Sequence, residues 1–139
     1  MKNHAVLVIL NENKEVLFVQ RSMKKKTLPG AWSFPSGTIE GKESVFATII
    51  REGNEELGVT LQPIEIFAEK ELSEFSVKLS FVLCNIVKGT PVIAEPEEID
   101  NITWMTFQDF FYRFSDNVIG HGLVWLRQHP QLWNNLQLR

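Results

Sequence analysis

Residues 44–58 constrain the fold more than any other stretch of the chain. Ser44 is a residue type that caps helix N-termini, Gly58 suits the left-handed position just past a helix end, and no proline lies between them. Wound at 100° per residue, Phe46, Ile49, Ile50, Gly53 and Leu57 share one stripe about 100° wide. The spacing predicts an amphipathic helix over residues 44–57, and such a helix needs an apolar layer to lie on. Strand-like runs supply it. Apolar, β-branched segments at residues 4–10 and 16–20 flank Asn11-Glu12-Asn13-Lys14, whose turn chemistry predicts a hairpin. Residues 22–30 are polar and basic and read as a loop closed by Pro29-Gly30, with a short strand over 32–34 before Pro35. Pro63 is expected to break the chain, after which residues 64–72 and 75–87 read as two strands joined by a tight turn. In the second, Val77, Leu79, Phe81 and Leu83 alternate with Lys78, Ser80 and Val82, the pattern of a strand with one buried face. An acidic loop at 91–101, a short strand at 102–107, a helical turn at 108–112 and a closing helix at 118–128 follow. Strands, helix, strands, helix in 139 residues predict one α+β domain, residues 1–139, with helices layered on a mixed sheet.

Three glutamates on the predicted helix carry the chemistry. Glu52, Glu55 and Glu56 are spaced i, i+3, i+4, which puts them on one face, beside the apolar stripe rather than within it. Like charges at this spacing repel by about 0.2–0.5 kcal/mol per pair. A divalent cation that prefers oxygen ligands, Mg²⁺ or Mn²⁺, would offset that repulsion. Arg51 is the local counter-charge. An isolated acidic face on a helix usually just meets solvent, so the surrounding pattern decides.

That pattern is specific. From Gly37 the chain reads G-TIEGK-E-SVFATII-R-E-G-N-E-E-L-G-V, which resembles the Nudix box, G-x5-E-x7-R-E-U-x-E-E-x-G-U with U a bulky aliphatic. All seven fixed residues are present: Gly37, Glu43, Arg51, Glu52, Glu55, Glu56 and Gly58. Val59 satisfies the last U. Gly53 departs from the first, and on the buried stripe it is expected to let the helix pack closely on the sheet. Leu28-Pro-Gly-Ala-Trp-Ser-Phe-Pro-Ser-Gly37 looks like the lead-in of MutT-like members, with Ser36 where the family usually has glycine. Arg21, Ser22, Lys26, Gly30, Phe34 and Pro35 also resemble a coenzyme A pyrophosphatase lead-in.

The resemblance implies a Nudix-type α/β/α sandwich with a mixed β-sheet, and a Mg²⁺-dependent (or Mn²⁺-dependent) pyrophosphohydrolase. Its substrate would be a nucleoside diphosphate derivative, foremost a (d)NTP, canonical or oxidised, cleaved to NMP and pyrophosphate. Coenzyme A, dinucleoside polyphosphates and nucleotide sugars are the alternatives within the class. A nucleotide-binding sensor that has lost catalysis is the alternative outside it. The resemblance further implies that Glu52, Glu55, Glu56 and the Gly37 carbonyl hold the metal, that Arg51 orients a glutamate, and that Glu43 supports Arg51. For the general base it leaves a box glutamate or an acid on a later loop, of which Glu98 is preferred over Glu97. Asp116 and Asn117 occupy the region where MutT-like members read a base, although Ser115-Asp116-Asn117 equally has the chemistry of a helix cap. Arg21 can reach a phosphate or end a strand in solvent, Lys24-Lys25-Lys26 can steer an anion, and Trp32 can stack a base, whereas Trp104 is expected in the core.

Composition excludes other classes. A net charge of −3 argues against a general nucleic-acid binder. The longest apolar run, residues 5–10, is far short of the ~20 residues that span a bilayer. With no small-residue cleavage site near the N-terminus, the expected location is the cytoplasm, without a membrane partner and as a monomer or homodimer. A single cysteine, Cys84, excludes an internal disulfide and reads as core. His4, His121 and His129 lack zinc-site spacing.

Overall fold

The structure is a computed structural model and describes residues 1–136. Among the described residues seven strands form two sheets: β1 (Lys2–Ile9), β2 (Val16–Arg21), β3 (Trp32–Ser33), β4 (Ser36–Thr38), β5 (Thr60–Leu72), β6 (Val77–Lys88) and β7 (Ile99–Met105). The helices are α1 (Val45–Leu57), α2 (Phe107–Arg113), α3 (His121–Arg127) and α4 (Pro130–Leu136). One sheet is mixed, in the order β4-β1-β6-β5, with β1 and β6 parallel; the other, β3-β2-β7, is antiparallel.

The expected sandwich follows from strand alternation. Ala5, Leu7 and Ile9 of β1 join Val82 and Cys84 of β6 in a core under α1, with Ile49 and Leu57. Val6 and Val8 join Phe81 and Leu83 in a second core with Phe107, Phe110, Leu123, Leu126 and Trp133 of α2, α3 and α4. Successive side chains point to opposite faces, so α1 covers one side and the three later helices the other. Trp104 packs against the first core, as expected.

Five expectations are corrected. Residues 4–10 and 16–20 do not pair as a hairpin: Asn11–Lys14 does turn, with Asn11 Oδ1 accepting from the N–H groups of Asn13 and Glu15, but beyond one bridge at Leu10 and Val16 the strands enter different sheets. Pro63 does not break the chain; it sits inside β5, an edge strand whose register shifts there, where a missing N–H is tolerated. β6 is buried on both faces over Ser80–Cys84, because it is an inner strand with a helical layer on each side. The closing helix is two helices, α3 and α4, preceded by a 3₁₀ turn over Asp116–Val118. The buried stripe of α1 is also rotated: Thr48, Ile49, Glu52, Gly53 and Leu57 are buried, while Phe46 and Ile50 are exposed.

Gly53 explains that rotation. A Cβ there would lie 2.6 Å from Leu61 Cδ1 of β5, so the missing side chain lets α1 approach the sheet along this line. The approach turns Glu52 inward with it.

Candidate active site

The helix α1 is fixed at both ends as its sequence predicts. Ser44 Oγ accepts from the Ala47 N–H at 3.0 Å, and Gly58 takes φ 66°. Between these caps Glu52, Glu55 and Glu56 face the short strand β4. Glu52 is buried and packs against Gly37 so closely that a Cβ on Gly37 would fall 2.2 Å from Glu52 Cδ. Only glycine fits there. Gly37 is held in place by pairing with Ala5 of β1.

Arg51 organises the cluster. Its Nε donates to Glu43 Oε2 at 2.8 Å and Nη2 to Glu43 Oε1 at 3.0 Å, a bidentate grip. Nη2 also donates to the Thr38 carbonyl at 3.0 Å, tying α1 to β4. Nη1 reaches Glu52 Oε1 at 2.7 Å and Glu55 Oε2 at 3.1 Å. The Arg51 hydrogen bonds hold the Glu43 carboxyl down at about 2. Thr48 Oγ1 adds a bond to Glu43 at 3.0 Å.

Among the described residues Glu56 has no cation beside it, and its carboxyl meets that of Glu52 instead. Its Oε2 is buried without a hydrogen bond. Burial first, then the charges of Glu52, Glu95 and Glu98, push its carboxyl well above the ordinary range. Burial also raises Glu52, against the opposing pull of Arg51. The carboxylates therefore do not all lie on a solvated face: Glu55 is exposed, but Glu52 and the tip of Glu56 are enclosed.

A cleft opens over the cluster, lined by Glu52, Glu55 and Glu56 of α1, Gly37 of β4, and Glu95 and Glu98 from the loop before β7. Arg21 and Lys25 line it too. Glu98 is ion-paired there to Lys25 Nζ. The loop carrying Lys25 is stapled to the acidic loop and the start of β7 by two further bonds, Ser22 N–H to the Glu98 carbonyl at 2.9 Å and Met23 N–H to Asp100 Oδ2 at 3.1 Å. Glu95 was not singled out from the sequence. Burial and the nearby glutamates raise its carboxyl, and its only sequence signal is membership of the acidic 91–101 stretch.

The other expected binding residues divide. Arg21 ends β2 at the cleft, with Nε and Nη2 on the Thr27 carbonyl at 3.1 and 2.8 Å. Trp32 is half-buried against the core, its ring 5.6 Å from that of Phe114. Asp116 pairs with Arg127, and Asn117 Oδ1 accepts from Ser115 Oγ. Neither lines the cleft, and neither caps α3, whose N-cap is Gly120 with no side-chain bond.

The donor set suits a divalent cation: several carboxylate oxygens, a carbonyl on a strand packed against them, and one enclosed oxygen lacking a partner. Among the described residues no three acidic or imidazole side chains already converge as a closed cage, because Glu52 and Glu55 are turned onto Arg51.

Comparison with known proteins agrees with this architecture. The NUDIX domain family matches residues 1–123, and the chain belongs to the Nudix family. Nudix hydrolase 8 of Arabidopsis thaliana is 30% identical over 105 residues, 73% of this chain and 28% of that protein. The 8-oxo-dGDP phosphatase NUDT18 of Danio rerio is 36% identical over 75 residues, 54% of this chain and 22% of that one. The chain thus spans only a fraction of the length of these curated relatives. Among solved structures, a MutT protein from Methanosarcina mazei Go1 superposes with a TM-score of 0.75 at 20% identity, covering 99% of this chain and 96% of its own. Members of the family use divalent cations. Among the described residues no helix is long and apolar enough to cross a membrane.

Proposed function

We propose that the protein is a Mg²⁺-dependent pyrophosphohydrolase acting on a nucleoside diphosphate derivative, with Mn²⁺ able to substitute. One observation carries this reading: Glu56 Oε2 is enclosed and unpartnered in a cleft shared with four other carboxylates. Uncompensated, such a group is costly, and a cation is the partner it lacks.

In this reading Glu52, Glu55, Glu56 and the Gly37 carbonyl hold the metal, which when bound neutralises charge developing on the diphosphate. Everything else falls to the chain. Arg51 sets the rotamers of Glu52 and Glu55 and is itself fixed by Glu43. Glu98, on the facing wall, accepts a proton from the attacking water, with Glu95 beside it. The water oxygen bonds to one phosphorus as the bridging oxygen leaves with the other phosphate group. Arg21 and Lys25 are the cations positioned to meet the phosphates.

The proposed substrate is a (d)NTP, canonical or oxidised, cleaved to NMP and pyrophosphate. The kinship to an 8-oxo-dGDP phosphatase supports including oxidised guanine nucleotides. The test is a phosphate-release screen with Mg²⁺ and Mn²⁺ over (d)NTPs, oxidised nucleotides, coenzyme A, dinucleoside polyphosphates, ADP-ribose and nucleotide sugars. Metal-dependent release from one group is the expected result. Silence across the panel from folded, metal-loaded protein would favour a nucleotide-binding sensor instead.

A further inference from the structure

The carboxylate that would activate water and one of the cations that would meet the phosphates are bound to each other. Lys25 Nζ donates to Glu98 Oε2 on the wall of the cleft. The backbones behind this pair are fixed. Ser22 N–H donates to the Glu98 carbonyl at 2.9 Å, Glu98 N–H to the Glu95 carbonyl at 2.9 Å, and Lys25 N–H to the Ser22 carbonyl at 3.1 Å. The side chains are not enclosed in the same way: that of Lys25 is 29% exposed and that of Glu98 43%. A lysine ammonium rides on a flexible four-carbon stem. Lys25 is half-buried at the cleft, whereas Lys24 and Lys26 are exposed and do not line it. Arg21, also on this wall, is held by Nε and Nη2 on the Thr27 carbonyl and by Nη2 on Thr27 Oγ1. Lys25 is therefore the cation with a partner it can exchange.

We infer that Lys25 changes partner when a diphosphate enters the cleft, leaving Glu98 for the phosphate oxygens and so freeing Glu98 to accept a proton from water. The inference rests on the proposed hydrolase reading for the roles of Glu98 and the diphosphate. While Lys25 holds Oε2, that oxygen is engaged with an ammonium instead of a water, and the lysine charge is directed at a carboxylate instead of a phosphate. A diphosphate presents more negative charge than one carboxylate, and an ion pair between half-exposed groups is weak. The exchange therefore runs toward the phosphate. Lys25 is thus a positioning residue for Glu98 as well as a phosphate ligand, and the empty cleft holds its base in reserve until substrate arrives.

The test is a double-mutant cycle read by calorimetry. It measures binding of α,β-methylene-ADP, with Mg²⁺ present throughout, to wild type, Lys25→Met, Glu98→Gln and the double variant. Lys25→Met removes a phosphate contact and should weaken binding about tenfold, and Lys25→Arg should restore it. Glu98→Gln leaves Lys25 unpaired and should tighten binding. Repulsion between Glu98 and the phosphates acts in both backgrounds, so it cancels in the cycle. The gain from Glu98→Gln should then be at least about threefold larger with Lys25 present than in Lys25→Met. Lys24→Met and Lys26→Met should stay within about twofold of wild type, and every variant should melt within about 4 °C of it. Equal gains in the two backgrounds mean that the pair survives in the complex and overturn the inference, as does wild-type protein that binds no α,β-methylene-ADP. Non-additive binding without hydrolysis of any nucleoside diphosphate derivative leaves the exchange of partners standing and removes the hydrolase reading. Metal-dependent hydrolysis with additive binding does the reverse.

Discussion

Glu56 and Glu43 respond to pH in opposite senses. Glu56 is raised well above its ordinary value of 4.5 by burial and by neighbouring carboxylates. An unfolded chain loses this proton first, so without metal the stability falls as pH rises from about 4.5 through the folded value. Glu56→Gln removes the enclosed charge. In EDTA at neutral pH it should raise Tm by about 3–6 °C, the counterpart of roughly 1–2 kcal/mol for an unpartnered buried group. The same variant should lower turnover by orders of magnitude. A Glu56→Gln protein that melts lower than wild type in EDTA would show the carboxyl to be a stabilising group and not a frustrated one. Glu43 runs the other way. Its Arg51 bonds lower it to about 2, so its contribution is complete above 4.5 and fades as pH falls toward 2. Thermal melts of Glu43→Gln should therefore converge on wild type as the acid limb is descended, and Glu43→Gln should lower kcat through a loosened Arg51.

At the scale of elements, α1 and its seat on β5 test how a helix is fitted to a sheet. Replacing glycine by alanine inside a helix ordinarily stabilises it by about 1 kcal/mol. At Gly53 the sign should reverse, because the new Cβ would meet Leu61 Cδ1 at 2.6 Å. Gly53→Ala should cost about 1–3 kcal/mol by denaturant titration, and Leu61→Ala in the same chain should recover part of that loss. This close approach was legible from the sequence because Gly53 falls on the apolar stripe, as were both caps, which depend on local chemistry at Ser44 and Gly58. The hairpin between β1 and β2 was misread for the opposite reason. Asn11 makes the turn it should, but a turn says nothing about which strand the departing chain will pair with. The burial of Glu52 and Glu56 was likewise hidden: helical spacing gives the face of a carboxylate, while its enclosure depends on Gly37 and on a loop some forty residues further along. Asp116 shows the limit of position as a guide: it pairs with Arg127, eleven residues away, and does not line the carboxylate cleft.

Across the whole molecule, the two cores meet at β6. Cys84 lies in the centre of that strand, fully buried, with its thiol pushed up to about 12 by its surroundings. It should not react with an aromatic disulfide reagent at pH 8 while the protein is folded, and should react fully in denaturant. Reaction in native protein at the speed of a free thiol would mean that the sheet opens without global unfolding. The architecture itself was readable as alternating strands and helices, yet not the division into two sheets, which is settled by pairings between distant segments. Among these is the parallel ladder that sets Lys2 beside Val77 and Ile9 beside Cys84. A ribosome adding about 5–20 residues per second delivers the greasy first strand several seconds before the strand that will shelter it. Over that interval residues 5–10 are a ready target for a nascent-chain chaperone, and the arrival of β6, not of β1, sets when this ladder can close.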